Sequence, residues 1–373
     1  MYLKQLKFTN FKNYHEAELQ FSPRINCFIG KNGSGKTNVL DAIYYLSFCK
    51  SYFNPIDSQN IRHEADFYAI HGEYIRKKDS VDKVHCVLER NQNKHFKLNE
   101  KKYERLADHI GLIPLVMISP YDRDLINNGS EVRRKYIDGV ISQFDRNYLN
   151  HLLDYNKSLT QRNALLKLFA DRRYFDETAL QIWDFKLIQL GHEIVNKRQA
   201  FVNEFIPIFQ QYFNLISGGN EKVDLIYQSD LTQSNLKELL DLNLAKDRAL
   251  RYTSVGAHKD DLDFLIEGYP IKKFGSQGQQ KSYVIAIKLA QFEFMRKLKK
   301  YKPILLLDDI FDKLDSLRVE QLINLVSEEN FGQVFITDTQ RERVEQIFEA
   351  TDMDHRLFEV IQGTVKEIEN GRV

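Results

Sequence analysis

The chain has 373 residues, 43% hydrophobic and 28% charged, which is typical of a globular protein with a full core and room for two lobes. The net charge of +1 argues neither for nor against a nucleic-acid partner, so any DNA-binding surface has to be local. Three scattered cysteines and the lack of an apolar run long enough to span a bilayer exclude a disulfide framework and a membrane partner, and predict a cytoplasmic protein.

The chain is predicted to begin with β-strands. Lys4–Phe8 alternates apolar and polar residues, and Ala17–Phe21 is expected to pair with it across the turn at Asn13–His15. The short apolar segment Ile25–Ile29 predicts a buried strand, and Thr37–Phe48 predicts a helix with one apolar face.

Residues 30–37, G-K-N-G-S-G-K-T, join that strand to that helix and fit the pattern G-x-x-x-x-G-K-[ST] of loops that wrap nucleotide phosphates. The glycines let backbone amides turn toward a phosphate, and the helix adds its positive end. Lys36 is expected to reach the β- and γ-phosphates, and the Thr37 hydroxyl to hold Mg²⁺. The predicted nucleotide-binding residues here are Gly30, Lys31, Asn32, Gly33, Ser34, Gly35, Lys36, Thr37 and Asn38.

Further strands of a meander are predicted after this helix, at Ala69–Arg76, Lys83–Glu89 and His95–Leu98. Leu115–Ile118 is predicted as a separate short apolar strand, and the texture becomes helical from about residue 123. Helical spacing over Val132–Phe169 and Thr178–Leu215 predicts a hairpin or small bundle, and no sustained heptad register supports a long coiled coil. The next predicted elements are a strand at Val223–Gln228, a helix at Asn235–Ala249 and a strand at Leu262–Glu267.

Ser276 precedes a predicted apolar helix over Tyr283–Phe292 and is a good N-cap residue. Gly278 allows close approach of the backbone, so this helix start is a second candidate anion site. The alternative is simply a well-capped helix.

Two acids follow the apolar strand Ile304–Leu307, and a helix (Leu317–Val326) and a second strand (Gln333–Thr337) complete a βαβ pattern. At such a strand end Asp308 can hold a magnesium ion, and Asp309 can orient an attacking water. We therefore expect both acids to be catalytic, with Thr37 and Asp308 as the metal ligands.

Four basic clusters are candidates for a DNA surface: Arg76–Lys78, Lys97 with Lys101 and Lys102, Arg133–Lys135, and Arg296–Lys302. Each one alone is more typical of a solvated face than of a binding site. The sequence does not decide which of them contacts DNA.

Taken together these segments resemble the ABC-type ATPase heads of the SMC group and, within that group, the RecF family of bacterial DNA repair proteins. The resemblance is carried by residues 6–14, 33–44, 119–138, 256–261 and 305–318. It implies an α/β fold, an ABC-type P-loop ATPase head of two β/α lobes with an inserted helical arm. The implied division is a head over 1–120, an arm over 121–222 and the rest of the head over 223–373.

By this resemblance two heads bind two ATP molecules between them. Ser276, Gly278 and Gln279 would contact the γ-phosphate of the partner's nucleotide, and Leu314–Asp315 would cross the dimer interface. Asp309 stands where such ATPases usually carry a catalytic glutamate. The segment Thr337–Gln340 lacks the histidine that usually senses the γ-phosphate, and residues 119–124 lack the usual glutamine. These departures predict slow hydrolysis and a switch rather than a motor, with Thr337 or Thr339 in place of the sensor.

The resemblance also implies the function: an ATP-dependent homodimer that clamps single- and double-stranded DNA at single-strand gaps, with slow hydrolysis for release. Its implied partners are RecO, RecR and RecA, in RecA loading, replication restart and the SOS response. An SMC-like ATPase of DNA metabolism without RecA loading is the open alternative. A nuclease-type relative would need a further acidic domain, a transporter subunit would keep the sensor histidine, and a GTPase would carry an N-K-x-D motif.

Overall fold

The computed structural model describes residues 1–76, 80–219, 221–299, 301–311, 316–326, 331–349 and 354–368. The strands in these ranges are β1 Tyr2–Thr9, β2 Glu16–Gln20, β3 Ile25–Ile29, β4 Phe67–Ile75, β5 Val81–Glu89, β6 His95–Leu98, β7 Lys101–Lys102, β8 Leu115–Ile118, β9 Val223–Gln228, β10 Asp261–Ile266, β11 Tyr269–Pro270, β12 Ile304–Asp308, β13 Val334–Asp338, β14 His355–Ile361 and β15 Thr364–Ile368. The α-helices are α1 Lys36–Phe48, α2 Asp124–Asn127, α3 Ser130–Ile141, α4 Arg146–Arg172, α5 Glu177–Ser217, α6 Leu236–Leu250, α7 Ile271–Phe274, α8 Gln277–Leu298, α9 Ser316–Val326 and α10 Arg341–Glu349.

The chain divides into two compact units. The first unit contains Met1–Asp122 and Ile285–Val373, and the second contains Arg123–Val284. The second unit begins close to the predicted start of the arm at 121 and also includes residues 223–284. The functional domain limits given above remain predictions.

Two six-stranded sheets form the first unit. One has the strand order β2-β1-β4-β5-β6-β7 and is antiparallel throughout, which confirms the predicted pairing of the first two strands and the meander. The other has the order β15-β14-β3-β13-β12-β8, and its strands β14, β3, β13, β12 and β8 run parallel. Helix α1 contacts strands of both sheets, and residues on all its sides are buried. The P-loop at the start of α1 is therefore fixed by a helix that is itself in the core.

Strands β3, β12 and β13 are buried along their whole length, as expected for parallel strands covered on both faces. Because β13 pairs with both β3 and β12, the carboxyl ends of these three strands meet at one edge of the sheet. This edge carries the end of β3 that leads into the P-loop and the acids at the end of β12.

The second unit combines the helices α3–α6 with a small antiparallel sheet of order β11-β10-β9. Helices α4 and α5 pack on each other, as predicted for a helical hairpin, and α5 is 41 residues long. The predicted helical stretch from Val132 to Phe169 contains two helices, because the side chain of Asp145 accepts a hydrogen bond from the Tyr148 amide and caps a new helix there. In the described part of the chain, no helix is both long enough and apolar enough to cross a bilayer.

Candidate nucleotide site

The loop between β3 and α1 needs glycine for two reasons. Gly35 has φ of 116°, in the region that residues with a side chain rarely adopt. A Cβ atom built on it would lie 2.6 Å from Asn13 Nδ2 and 2.9 Å from the Tyr14 hydroxyl. The turn therefore packs so tightly on residues 13 and 14 that no larger residue fits.

The same loop is held by donors from distant parts of the chain. Asn13 Nδ2 donates to the Ser34 carbonyl oxygen at 3.1 Å, and the Gly363 amide donates to the same oxygen at 2.9 Å. The Tyr14 hydroxyl donates to the Gly35 carbonyl oxygen at 3.0 Å. These contacts fix the backbone of the loop from outside.

Lys36 lies inside the loop and is 4% exposed. Its Nζ donates to the Gly30 carbonyl oxygen at 2.8 Å and to the Lys31 carbonyl oxygen at 3.2 Å. The Ser34 hydroxyl is buried and has no hydrogen-bond partner among the described residues. A buried ammonium group and an unpaired hydroxyl can both donate hydrogen bonds to phosphate oxygens. The loop therefore fits a nucleoside triphosphate.

Thr37 and Asp308 meet as the sequence predicts. The Thr37 hydroxyl donates to Asp308 Oδ1 at 2.9 Å, and the Thr337 hydroxyl donates to the same oxygen at 2.8 Å. Thr337 reaches this position because it pairs with Asp308 in the register of β12 and β13. A hydroxyl and a carboxylate are the hard oxygen donors that Mg²⁺ prefers.

The pKa of Asp308 is raised to about 6, mainly by burial of its carboxyl group. The hydrogen bonds from Thr337 and Thr37 oppose this increase in the pKa, whereas the carboxylate of Asp309 adds to it. A magnesium ion would compensate the buried negative charge of Asp308, because a nearby cation favours the ionised carboxylate. No group of three or more His, Cys, Asp or Glu residues able to hold a metal occurs in the described ranges. A site with one carboxylate suits Mg²⁺, which usually takes its other ligands from phosphates and water.

Asp309 adopts an unusual backbone conformation, with φ of 44°. A non-glycine residue in this left-handed region is uncommon and costs about 1–3 kcal/mol, a cost that is frequent at functional sites. Its amide donates to the Thr337 hydroxyl at 3.0 Å. Thr337 is fully buried, and its hydroxyl contacts both the Asp308 carboxylate and the Asp309 amide. Thr339 is exposed. The sensor role of either threonine remains a prediction.

Ser276, Gly278 and Gln279, which are predicted to contact the partner's nucleotide, lie in the second unit at the start of α8. The Gln279 amide donates to Ser276 Oγ at 3.2 Å, and the Ser276 amide donates to Gln279 Oε1 at 2.6 Å. This reciprocal pair is a capping box, so Ser276 is the N-cap as predicted. Gln279 Nε2 also donates to Glu221 at 2.6 Å, and Gly278 follows Ser276 in the first turn. Contact of these residues with a second nucleotide remains a prediction, and Leu314–Asp315 lie outside the described residues.

The basic cluster Arg133–Lys135 is mainly structural. Arg133 forms two hydrogen bonds with the Asp261 carboxylate, at 2.7 and 2.9 Å, and Arg134 donates to the Asp260 carbonyl oxygen. Lys135 is exposed and pairs with Glu131 at 2.7 Å. Arg133 is therefore bound to a carboxylate of the chain itself, and Arg134 to a backbone carbonyl oxygen.

Much of the other basic clusters is also paired. Arg76 bonds to Asp82, whereas Lys77, Lys78 and Lys300 lie outside the described residues. Lys97 is 4.0 Å from Glu100, and Lys101 and Lys102 are exposed on β7. Arg296 and Lys297 both pair with Glu293, and Lys299 donates to the Gly111 carbonyl oxygen.

Sequence reasoning missed Arg198 of α5, which is 2% exposed. Its guanidinium bonds to the Asp138 carboxylate at 3.0 Å and to the Asp260 carboxylate at 2.6 Å. Desolvation lowers the pKa of Arg198, but its anionic neighbours more than offset this and hold the pKa well above its usual range. Arg198 lies four residues after Ile194 on the buried face of α5. A charged residue at such a position indicates a buried acidic partner.

Comparison with known proteins gives consistent results over nearly the whole chain. Residues 2–364 match the family model of the RecF/RecN/SMC N-terminal domain. The DNA replication and repair protein RecF of Flavobacterium johnsoniae is 53% identical over 96% of this chain and 99% of that protein. RecF of Phocaeicola vulgatus is 50% identical over 98% of each chain.

Among solved structures, the recombination mediator protein RecF-ATP in the RecFOR pathway is 30% identical, with a TM-score of 0.88 over 98% of this chain and 97% of that chain. The Smc head bound to the C-winged helix domain of ScpA is 16% identical, with a TM-score of 0.60 over 99% of this chain and 97% of that chain. The second likeness concerns the fold alone.

Proposed function

This chain belongs to the RecF family of DNA replication and repair proteins, and from that membership we propose that it is an ATP-dependent DNA clamp of recombinational repair. The observation that carries the proposal is the 2.9 Å hydrogen bond from the Thr37 hydroxyl to Asp308, because it brings the P-loop and the acidic strand end into one site.

ATP is the proposed nucleotide. Lys36 and Ser34 are buried donors inside the loop, and the RecF-ATP structure is that of a relative 30% identical over nearly all of this chain. In the nucleotide-bound protein we expect the Lys36 ammonium to exchange the carbonyl oxygens of Gly30 and Lys31 for phosphate oxygens. Bound Mg²⁺ would supply positive charge between the phosphates and Asp308, with Thr37 as the second protein ligand.

Dimerisation is the proposed consequence of ATP binding. Ser276, Gly278 and Gln279 lie at the start of α8, where backbone amides and the helix dipole favour an anion. If they bind the nucleotide of a second copy, ATP stabilises the dimer because it binds both surfaces at once. Asp309 is the proposed residue that orients water, and its short side chain and strained backbone support slow hydrolysis that releases the dimer.

DNA is the proposed substrate, bound without sequence specificity through phosphate contacts when the two heads close. By family membership we extend this to single-strand gaps, to cooperation with RecO and RecR, to loading of RecA and to a role in the SOS response and replication restart. We therefore also propose that the protein acts in the cytoplasm, where the chromosome is.

The nucleotide step is tested by sedimentation velocity with and without Mg²⁺ and ATP. We expect the wild-type chain to convert from monomer to dimer with ATP, and Lys36→Ala to remain monomeric while its circular dichroism is unchanged. Lys4→Ala, an exposed lysine of β1, is the matched control and should dimerise normally. A wild-type mass that never changes with ATP would refute the clamp mechanism.

The DNA step is tested by electrophoretic mobility shift on gapped, single-stranded and duplex DNA of equal length at stated salt. ATP should raise the affinity of the wild-type chain for gapped DNA and leave that of Lys36→Ala unchanged. Gap preference without stimulation of RecA filament growth by RecO and RecR would instead favour an SMC-like ATPase with no role in RecA loading.

A further inference from the structure

Two large aromatic rings are exposed immediately before helix α8. Tyr269 is 59% exposed and Phe274 is 64% exposed, and their ring centroids are 5.2 Å apart. Phe274 lies two residues before the N-cap Ser276. We call Tyr269 and Phe274 the aromatic pair.

The backbone under the aromatic pair is tightly constrained. Glu267 and Gly268, both with positive φ, turn the chain from β10 into β11, whose first residue is Tyr269. After Phe274, a Cβ atom on Gly275 would lie 2.6 Å from Cγ1 of the buried Ile271. Lys272 Nζ donates to the Asn127 carbonyl oxygen at 2.6 Å. The backbone that carries both rings is therefore constrained on both sides.

Such a pair is typical of a binding surface. An aromatic side chain buries about 150–250 Å² when it is covered, and aromatic residues are enriched at the centres of protein interfaces. The position next to Ser276 adds a second argument. If the start of α8 approaches the nucleotide of a second copy, the aromatic pair approaches that copy's P-loop as well.

The β14–β15 hairpin borders the P-loop in the first unit and exposes a large apolar side chain. Its Gly363 amide donates to the Ser34 carbonyl oxygen at 2.9 Å, which places the hairpin turn against the loop. Ile361 is 57% exposed at this turn. The hairpin also lines a cavity of about 310 Å³ formed by Glu359, Ile361, Gln362, Thr364 and Lys366. Ile361 is the apolar residue of this lining, so aromatic rings would contact Ile361 and the aliphatic part of Lys366.

We propose that the aromatic pair of one chain packs against the β14–β15 hairpin of a second copy of the same chain, beside its P-loop. The contact would bury exposed apolar surface from both compact units. This inference rests on the proposed ATP-dependent dimer and adds an anchor to it that is separate from the nucleotide itself.

The first test is the double variant Tyr269→Ala/Phe274→Ala. Its affinity for a fluorescent ATP analogue should equal that of the wild-type monomer, because both rings lie outside the P-loop. Its ATP-dependent dimer should dissociate at a concentration at least 30-fold higher in sedimentation equilibrium. Tyr174→Ala/Phe185→Ala removes two comparably exposed rings from the helical part of the second unit, and should dimerise like the wild-type chain.

The second test locates the contact. Cys27, Cys49 and Cys86 are buried, so a benzophenone maleimide on Phe274→Cys labels the new thiol. Illumination with ATP should cross-link two chains, with the adduct in residues 359–366 or 30–38. Cross-links elsewhere, or a normal dimer of the double variant, would overturn the inference while the proposed function stands. A wild-type chain that stays monomeric with ATP would overturn both.

Discussion

Replacement of Asp308 by asparagine should stabilise the nucleotide-free protein and at the same time abolish the proposed binding of Mg²⁺ and ATP. Burial raises the pKa of Asp308 from 3.8 to about 6, so the folded chain holds an unfavourable charge at neutral pH. The difference is about 2 pKa units at 1.36 kcal/mol each, or about 3 kcal/mol. The amide oxygen of the asparagine side chain would still accept hydrogen bonds from Thr37 and Thr337, since both donate to a single oxygen.

The sign of the pH dependence follows from the direction of the shift. A carboxyl group whose pKa is raised on folding favours the folded state below pH 3.8, and this contribution is lost as the pH rises through about 6. The gain in unfolding free energy from Asp308→Asn should therefore grow by about 2 kcal/mol between pH 4.5 and pH 8, because the rest of the total of about 3 kcal/mol develops below pH 4.5. Desolvation of the new amide can reduce the gain by about 1–3 kcal/mol at every pH, but it does not alter the slope.

The assay is urea unfolding in EDTA, followed by far-ultraviolet circular dichroism, at steps from pH 4.5 to pH 8. Subtraction of the wild-type curve removes the contributions of all shared titrating groups. Asp338→Asn is the matched control, because this buried acid at the end of β13 is paired with Arg343 at 2.8 Å and its neutralisation should destabilise. A stability difference for Asp308→Asn that is flat with pH would refute the reasoning. Addition of Mg²⁺ and ATP should stabilise only the wild-type protein.

Gly35→Ala should lower the affinity for ATP analogues at least 100-fold, because the new Cβ atom would clash with Asn13. The left-handed backbone at this residue should also cost about 1–2 kcal/mol of stability. Calorimetric titration measures the affinity, and thermal unfolding measures the stability. Arg198→Ala leaves the carboxylates of Asp138 and Asp260 without their buried partner, and should cost about 3–5 kcal/mol in urea unfolding; a loss below 1 kcal/mol would contradict this role. Burial lowers the pKa of His258 to about 4, so the free energy of unfolding should fall by up to about 3 kcal/mol as the pH decreases from 6.5 to 4. His258→Gln should reduce this fall, which urea unfolding at a series of acidic pH values measures.

The parts of the site that sequence alone predicted are those with a local signal. The P-loop combines its glycines, lysine and threonine within eight residues, and Asp308 follows directly on an apolar strand. The contact of Thr337 with Asp308 depends on strand register, which only the folded sheet supplies. The bonds of Arg198 join residues about 60 positions apart in the chain, and no local pattern specifies them.

The β14–β15 hairpin was not predicted from the sequence at all. Its strands mix apolar residues with charged ones, as in Glu359 and Lys366, because β15 is an edge strand with little buried surface. A short edge hairpin of this kind has neither a continuous apolar run nor a strict alternation. The hairpin matters to the site because the Gly363 amide donates to the Ser34 carbonyl oxygen of the P-loop. Packing between residues so far apart in the chain leaves no pattern in the sequence.

The contact of Gly363 with Ser34 also means that the nucleotide site is completed late during synthesis of the chain. Strand β3 leaves the ribosome early, yet both of its sheet neighbours, β13 and β14, are made about 300 residues later. The oxygen of Ser34 obtains its second donor only with residue 363. A nascent chain should thus be unable to bind nucleotide until almost all of it has emerged. Truncation before residue 355 should remove the neighbouring strand β14 and with it nucleotide binding, so that incomplete translation products should not take part in the proposed ATP-dependent dimer.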